Sequence, residues 1–273
     1  MHTNIDKIRT VSIENVIEES PSVKTFVFQD KLSSNAKPGQ FLMVWSPRAE
    51  ELPMSIMISN KKDHAAISVR KYGFGSTSLY EKVINDKMGI RGPYGNYFIV
   101  NKNIKNPLLI GGGTGLVPII RLATQFNQIK GKCTVIIGAR SKNEVLFEGL
   151  ANKILNKVKN SIIVTTEDGS YGIKGVVTDV LNNIIKKEKF DMIYTCGPEL
   201  MMKKIYDLSV IHSIPIQVSL ERYMKCGIGI CASCCINDKL VCKDGTVFRE
   251  DQLSLMLEFG KIYRDKSGRK AYY

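Results

Sequence analysis

Apolar and polar residues alternate through the first hundred positions in runs of about five. Lys24-Thr-Phe-Val-Phe28, Phe41-Leu-Met-Val-Trp45 and Ala66-Ile-Ser-Val-Arg70 carry this period, which puts successive side chains on opposite faces of an extended strand. Pro38-Gly39 and Gly92-Pro93 punctuate the stretch as turns. Many short strands with turn signals predict a small antiparallel β-barrel. At Asn106 the pattern changes. Pro107-Leu-Leu-Ile-Gly111, Cys133-Thr-Val-Ile-Ile-Gly138, Ser161-Ile-Ile-Val-Thr165 and Asp191-Met-Ile-Tyr-Thr-Cys196 are continuous apolar runs separated by helical periodicity, the signature of a buried parallel α/β sheet. From about Gln217 the chain becomes rich in glycine and cysteine, and Lys261 to Tyr273 reads as a loosely held basic tail. The predicted fold class is α+β multidomain: an antiparallel β-barrel over residues 1–102, an α/β parallel-sheet domain over 103–214, and a small C-terminal segment over 215–273.

A length of 273 residues suits two domains with a small third. No apolar run is long enough to span a bilayer and the N-terminus lacks a signal-peptide core, so no membrane role and a cytoplasmic location are expected. Seven cysteines, an odd number, fit a reducing compartment better than a disulfide framework. The net charge of +13 comes from lysines spread along the whole chain. That favours a solvated basic surface, with room for one acidic partner protein, over a nucleic-acid site.

Three stretches carry chemistry. Cys226, Cys231 and Cys234 stand at x4 and x2 spacing with Cys242 a few residues on, the plant-type ligand pattern for a [2Fe–2S] cluster. Two irons need four thiolates around one small object, and Gly227 and Gly229 let the loop curl and aim its N–H groups at sulfur. A structural zinc site or a disulfide knot is the competing reading, which the spacing fits poorly. Cys235 is the spare, a packing residue. Gly111-Gly112-Gly113-Thr114-Gly115 follows a buried strand and opens a helix, the geometry for a dinucleotide pyrophosphate, and Cys196-Gly197-Pro198 ends a later strand, where ligands bind such sheets. In the barrel, Leu52-Pro53-Met54-Ser55 and Arg70-Lys-Tyr-Gly73-Phe-Gly75-Ser76-Thr77 stand out; the second suits a phosphate, and equally a plain turn with an N-cap.

In this order the motifs resemble the ferredoxin-reductase-type flavoprotein superfamily, and within it the electron-transfer subunits of dihydroorotate dehydrogenase B. Thr166-Glu-Asp168-Gly169-Ser-Tyr171-Gly172-Ile-Lys-Gly175, Ser219-Leu-Glu221-Arg-Tyr-Met-Lys-Cys226-Gly-Ile-Gly229 and Val241-Cys242-Lys-Asp-Gly245-Thr-Val-Phe248 carry the likeness. The resemblance implies FAD in the barrel, held by an R-P-x-S motif and a later G-T pair. Pro53 and Ser55 match, Met54 lies between them, Gly75 and Ser76 stand at the pair, and Ser68, Val69 and Arg70 line the flavin. Leu52 replaces the motif's arginine, a fixed fork of donors for phosphate, leaving Arg70, Arg48 or backbone donors for that role. The resemblance further implies an FMN-containing dihydroorotate dehydrogenase catalytic subunit as partner, in a heterotetramer, in pyrimidine (UMP) biosynthesis. Electrons pass from FMN through [2Fe–2S] and FAD to NAD, with no side chain acting as general acid or base. NAD(H) is expected over NADP(H): Glu167 and Asp168 would repel a 2′-phosphate, although Arg140 could pair with one.

Two other readings stand beside this one. The same fold serves diaphorase-type subunits of hydrogenases, sulfide dehydrogenases and ferredoxin-dependent transhydrogenases, which the Leu52 departure keeps in view. A flavin-less iron–sulfur sensor would account for the charge, but has no use for the two glycine turns.

Overall fold

The computed structural model describes residues 5–47, 49–127, 131–156 and 160–273. Strands β1 (Arg9–Ser20), β2 (Val23–Gln29), β3 (Phe41–Trp45), β4 (Glu51–Met57), β5 (His64–Arg70) and β6 (Lys87–Tyr94) close an antiparallel barrel in the order β1-β2-β5-β4-β3-β6. The alternation seen in the sequence fills it: Phe26, Phe28, Leu42, Val44, Ile67 and Val69 all point into one buried cluster. Gly92-Pro93, read from sequence as a turn, lies inside β6. The β3–β6 register slips between Phe41 and Met43 beside it, and such an irregularity accommodates a residue that cannot donate to the ladder. Short helices α1 (Lys31–Ser34) and α2 (Phe74–Tyr80) follow β2 and β5.

The continuous apolar runs become β7 (Pro107–Gly112), β8 (Thr134–Ala139), β9 (Ser161–Thr166) and β11 (Met192–Cys196), with the short β10 (Ile173–Lys174) and β12 (Ile216–Ser219) beside them. Helices α3 (Leu116–Phe126), α4 (Glu148–Ile154), α5 (Val177–Ile185) and α6 (Glu199–Ile211) connect them. The C-terminal segment contributes the hairpin β13 (Cys235–Ile236) and β14 (Lys239–Leu240), α7 (Val241–Asp244), β15 (Val247–Arg249) and α8 (Glu250–Leu253). The sheet runs β10-β9-β8-β7-β11-β12-β15. It is parallel except for β15, which pairs antiparallel with β12. The chain steps outward from β7 to β8 and β9, then returns to β11 on the other side of β7. That reversal opens a crevice at the C-terminal ends of β7 and β11.

Barrel and sheet are locked together by Arg121 of α3. Its guanidinium donates to Ala36 O at 2.9 and 2.5 Å, Ser34 O at 2.8 Å and Met57 O at 3.1 Å. The cysteine segment shares a core with both: Phe41, Met43 and Tyr94 of the barrel cluster with Cys234, Ile236, Cys242 and Phe248. The tail expected to be loosely held is folded. β16 (Ile262–Arg264) and β17 (Lys270–Tyr272) pair as a hairpin, and the Tyr273 hydroxyl donates to Glu199 Oε2 at 2.8 Å. Glu199 in turn takes Arg222 Nη2 at 2.5 Å and the Gly260 N–H at 2.9 Å. Arg222 and Glu199 form a buried ion pair, whose carboxylate has an acceptor left for the last residue of the chain.

Candidate functional site

The cysteine loop is shaped by its glycines. Gly227 and Gly229 have φ of 70° and 82°, a region that side chains disfavour. A Cβ at Gly227 would stand 2.6 Å from Met43 Cγ, so the loop lies directly on the barrel. Within it, the Ile230 and Cys231 N–H groups donate to Cys226 Sγ at 3.3 and 3.4 Å, and the Cys242 N–H donates to Cys234 Sγ at 3.4 Å. Burial opposes ionisation of Cys226, but the N–H groups of Cys231, Ile228 and Ile230 outweigh it and bring the thiol down to about 6. Cys234 comes down to about 7 because the Cys242 thiol donates to it, and the donor Cys242 is pushed up for the same reason. Among the described residues no three Cys, His, Asp or Glu side chains converge on a point for one metal ion. The thiol of Cys226 interacts with Cys231 and that of Cys234 with Cys242, and the two pairs lie close enough to feel each other's charge. Two pairs on a loop rich in N–H donors fit a two-iron cluster better than a single zinc. Cys235 turns away, donating from Sγ to Asn237 O at 2.9 Å. Cys133 is buried under the sheet.

The loop is tied to the barrel by one side chain. Arg91 of β6 donates from Nη2 to Cys226 O at 2.7 Å while its fork grips Glu51 at 2.6–3.0 Å. Glu51 belongs to β4, which also carries Leu52, Pro53, Met54 and Ser55. Strands β4 and β5 pair only at Ile56–Ile67 and Met57–Ala66. Beyond those pairs the seam between them opens, with Leu52–Ser55 on one side and Ser68–Arg70 on the other. Ser68 and Val69 are buried, Ser68 bonded to Thr25 at 2.8 Å, so only their main chain can line the opening. Next to it Tyr72 and Phe74 are 94% and 73% exposed. An open seam flanked by uncovered aromatic rings and the Gly73–Ser76 turn suits a flat, phosphate-bearing cofactor such as FAD. Ser76 Oγ takes the Tyr72 and Gly73 N–H groups at 3.1 and 2.9 Å, so this hydroxyl shapes the turn. Arg48, a candidate for the missing arginine's role, lies outside the described residues.

The two glycine turns meet in the crevice. Cys196 pairs with Gly111 across β11 and β7. A Cβ on Gly115 would stand 2.5 Å from Gly197 Cα and 2.6 Å from Cys196 O, so only glycine permits this approach. The turns line a cleft of about 500 Å³ that also takes in Arg70, Tyr72, Arg140, Glu144, Glu167 and Glu221. Arg70 Nη1 reaches Glu144 Oε2 at 3.3 Å, bringing barrel and sheet together over the cleft. Thr165 is among the residues lining the cleft, and its buried hydroxyl has no hydrogen-bond partner among the described residues, as a site awaiting a polar ligand would leave it. Thr114 and Pro198 also line it, whereas Cys196 is buried beneath, its Sγ 3.7 Å from Glu221 Oε1. Crowding by protein, countered by the Cys196 thiol and reinforced by the charge of Glu199, pushes Glu221 up to about 7. The residue is exposed to cleft water. A groove of about 510 Å³ by Tyr206, Val210 and Arg249 lies at the other end of β11 and β12 and holds none of the motif residues.

Sequence reasoning gave Glu221 no role and overlooked Glu144. Glu221 stood inside a recognised motif, a usable signal. Glu144 meets Arg70 only through the fold, 74 residues away.

Residues 109–207 match the family described as "Oxidoreductase NAD-binding domain", and residues 221–254 match "Iron-sulfur cluster binding domain of dihydroorotate dehydrogenase B". A curated relative from Methanocaldococcus jannaschii is 44% identical over 96% of this chain and 97% of its own length. A second, from Pyrococcus furiosus, is 41% identical over 96% and 98%. Both are named "Probable dihydroorotate dehydrogenase B (NAD(+)), electron transfer subunit". Among solved structures, an NADH-dependent reduced ferredoxin-NADP oxidoreductase aligns with a TM-score of 0.79 and 28% identity, covering 91% of this chain and 92% of its own. The FAD/NAD-binding domain of a Vibrio cholerae nitric oxide dioxygenase shares the fold, at a TM-score of 0.65 and 20% identity over 76% and 94%. The chain thus belongs to the family of dihydroorotate dehydrogenase B electron-transfer subunits.

Proposed function

We propose that this chain carries electrons from the FMN of a dihydroorotate dehydrogenase catalytic subunit, by way of a [2Fe–2S] cluster and FAD, to NAD+, in pyrimidine biosynthesis. The observation that carries the reading is the Arg91 bridge. It fixes the cysteine loop to β6 and, through Glu51, to β4, the strand that borders the open β4–β5 seam, so the proposed cluster and flavin positions are close together. When bound, FAD supplies the exchange between one-electron traffic at the cluster and hydride transfer at the nicotinamide.

The chain's own residues bind and position. Cys226, Cys231, Cys234 and Cys242 hold the cluster. Leu52, Pro53, Met54 and Ser55, with the main chain of Ser68 and Val69, Arg70, and the turn at Gly75 and Ser76, hold FAD. Gly111, Gly112, Gly113, Thr114 and Gly115, facing Cys196, Gly197 and Pro198, hold the dinucleotide. Glu167 disfavours a 2′-phosphate and selects NAD(H). No side chain acts as general acid or base. The natural assembly is a heterotetramer closed around a two-fold axis. Among the described residues no helix is long and apolar enough to cross a membrane; a cytoplasmic location is part of the proposal.

Flavin, iron and sulfide analysis of anaerobically purified protein tests the reading. One FAD, two irons and two sulfides per chain are expected. Ser in place of any of the four cysteines should bleach the cluster, and Cys235→Ser should not. FMN alone, or no flavin, overturns the FAD assignment. A second reading gains from the 28% identical ferredoxin-NADP oxidoreductase: a transhydrogenase-type subunit with another partner. Reduction of NAD+ by reduced ferredoxin, but not by dihydroorotate with the catalytic subunit, would favour it.

A further inference from the structure

The C-terminal hairpin reaches the flavin side of the barrel. Lys266, at its tip, donates to Glu50 Oε1 at 3.0 Å. Glu50 and Leu52 both close on the turn between β5 and α2: a Cβ on Gly75 would stand 3.2 Å from Glu50 Cγ and from Leu52 Cδ1. Lys266, Glu50, Leu52 and Gly75 are therefore contiguous, although Lys266 is 216 residues from Glu50 in sequence.

This is where the family's arginine is missing. Leu52 offers no donor, and the Glu50 carboxylate, which closes on the Gly75 turn, repels a phosphate. Lys266 neutralises it and adds an ammonium at the same spot. We propose that Lys266 of the C-terminal hairpin is the residue that replaces the motif arginine, donating to the pyrophosphate of FAD. This rests on FAD occupying the β4–β5 seam with its phosphates at the Gly75–Ser76 turn.

The tip is built to hold this position. Asp265 Oδ1 takes the Ser267 N–H at 2.8 Å, the Ser267 hydroxyl at 2.6 Å and the Arg269 N–H at 3.0 Å, and the Gly268 N–H donates to Asp265 O at 3.0 Å. The base is anchored by Tyr273 on Glu199 at 2.8 Å and by Arg222 Nη1 on Ile262 O at 2.6 Å. Lys266 itself is 67% exposed and packs into no core, so its charge is its contribution. A lysine on a preorganised hairpin provides a point charge where an arginine would provide a fork.

The test is equilibrium binding of FAD, and separately of riboflavin, to reconstitutable apoprotein, followed by flavin fluorescence. Wild type, Lys266→Ala, Leu52→Arg and the double variant are compared. Lys266→Ala should weaken FAD about tenfold, the worth of one charge-assisted hydrogen bond. It should leave riboflavin, which has no phosphate, unchanged, and should flatten the salt dependence of FAD binding. Leu52→Arg should tighten FAD and make the alanine at 266 nearly silent, because the arginine then occupies the same role. Equal FAD affinity in wild type and Lys266→Ala overturns the inference while leaving the FAD site standing. An equal loss for riboflavin overturns it as well, because that loss reports ring packing. Wild type that binds no FAD overturns the site and the inference together.

Discussion

Arg121 ties the helix that follows β7 to the barrel. It is 7% exposed, and among the described residues its guanidinium meets no carboxylate, only the carbonyls of Ser34, Ala36 and Met57. Burial alone lowers its pKa to about 10, so it remains charged at neutral pH. Arg121→Met keeps the aliphatic stem and strands the buried carbonyls of Ala36 and Met57 and the half-buried one of Ser34. At about 1 kcal/mol each, the low end for a buried group losing its partner, the loss is about 3 kcal/mol. The low end applies because removing an uncompensated buried charge returns part of the cost. For a chain of this size that corresponds to a fall in Tm of about 6–12 °C. Circular dichroism melts of the holoprotein measure it. The helix held by Arg121 begins at the crevice, so kcat for NADH oxidation with an artificial acceptor should fall while the cluster absorption persists. A variant melting within about one degree of wild type would refute the reasoning.

Other outcomes follow from single contacts. Gly115→Ala places a methyl 2.5 Å from Gly197 Cα and should lower kcat/KM for NADH at least about tenfold; Gly149→Ala, with nothing within 4 Å, is the control and should change nothing. Glu221, raised to about 7, favours the folded state while protonated. That contribution is complete below the ordinary carboxylate range and is lost as pH rises through about 7. Glu221→Gln should therefore melt above wild type at pH 8 but not at pH 4, by about 1 kcal/mol or less because the cleft is wet; an equal difference at both pH values would refute it. Ile230 is 77% exposed on the cluster loop, and Ile230→Asp should weaken association with the catalytic subunit in sedimentation or gel filtration, with NADH-driven reduction of artificial acceptors kept.

Periodicity and glycine punctuation carried most of the architecture. Both Phe41–Trp45 and Leu108–Ile110 became the expected strands, although β3 is buried on both faces, with Leu42 and Val44 in the barrel and Phe41 and Met43 against the cysteine segment. The x4-x2 cysteine spacing was legible because local loop geometry fixes it. What stayed hidden was long-range. β15 adds an antiparallel edge to a parallel sheet, and nothing in Val247–Arg249 says which strand it will meet. The tail folds because Tyr273 finds Glu199, 74 residues earlier, and composition alone reads such a tail as loose. The split β4–β5 seam follows from strands pairing at two positions and then parting, which no residue pattern announces. Arg70–Glu144 and Lys266–Glu50 are likewise products of the fold.

The central claim is electron delivery from a partner's FMN to NAD+. It is tested most directly by combining this chain with the FMN-containing dihydroorotate dehydrogenase subunit of the same genome and following NADH formation at 340 nm with dihydroorotate as the only reductant. The two should co-purify as one assembly containing FMN, FAD and iron–sulfur, and should reduce NAD+, while the catalytic subunit alone should not. Failure of the two chains to associate, or association without any NAD-linked activity, would contradict the account.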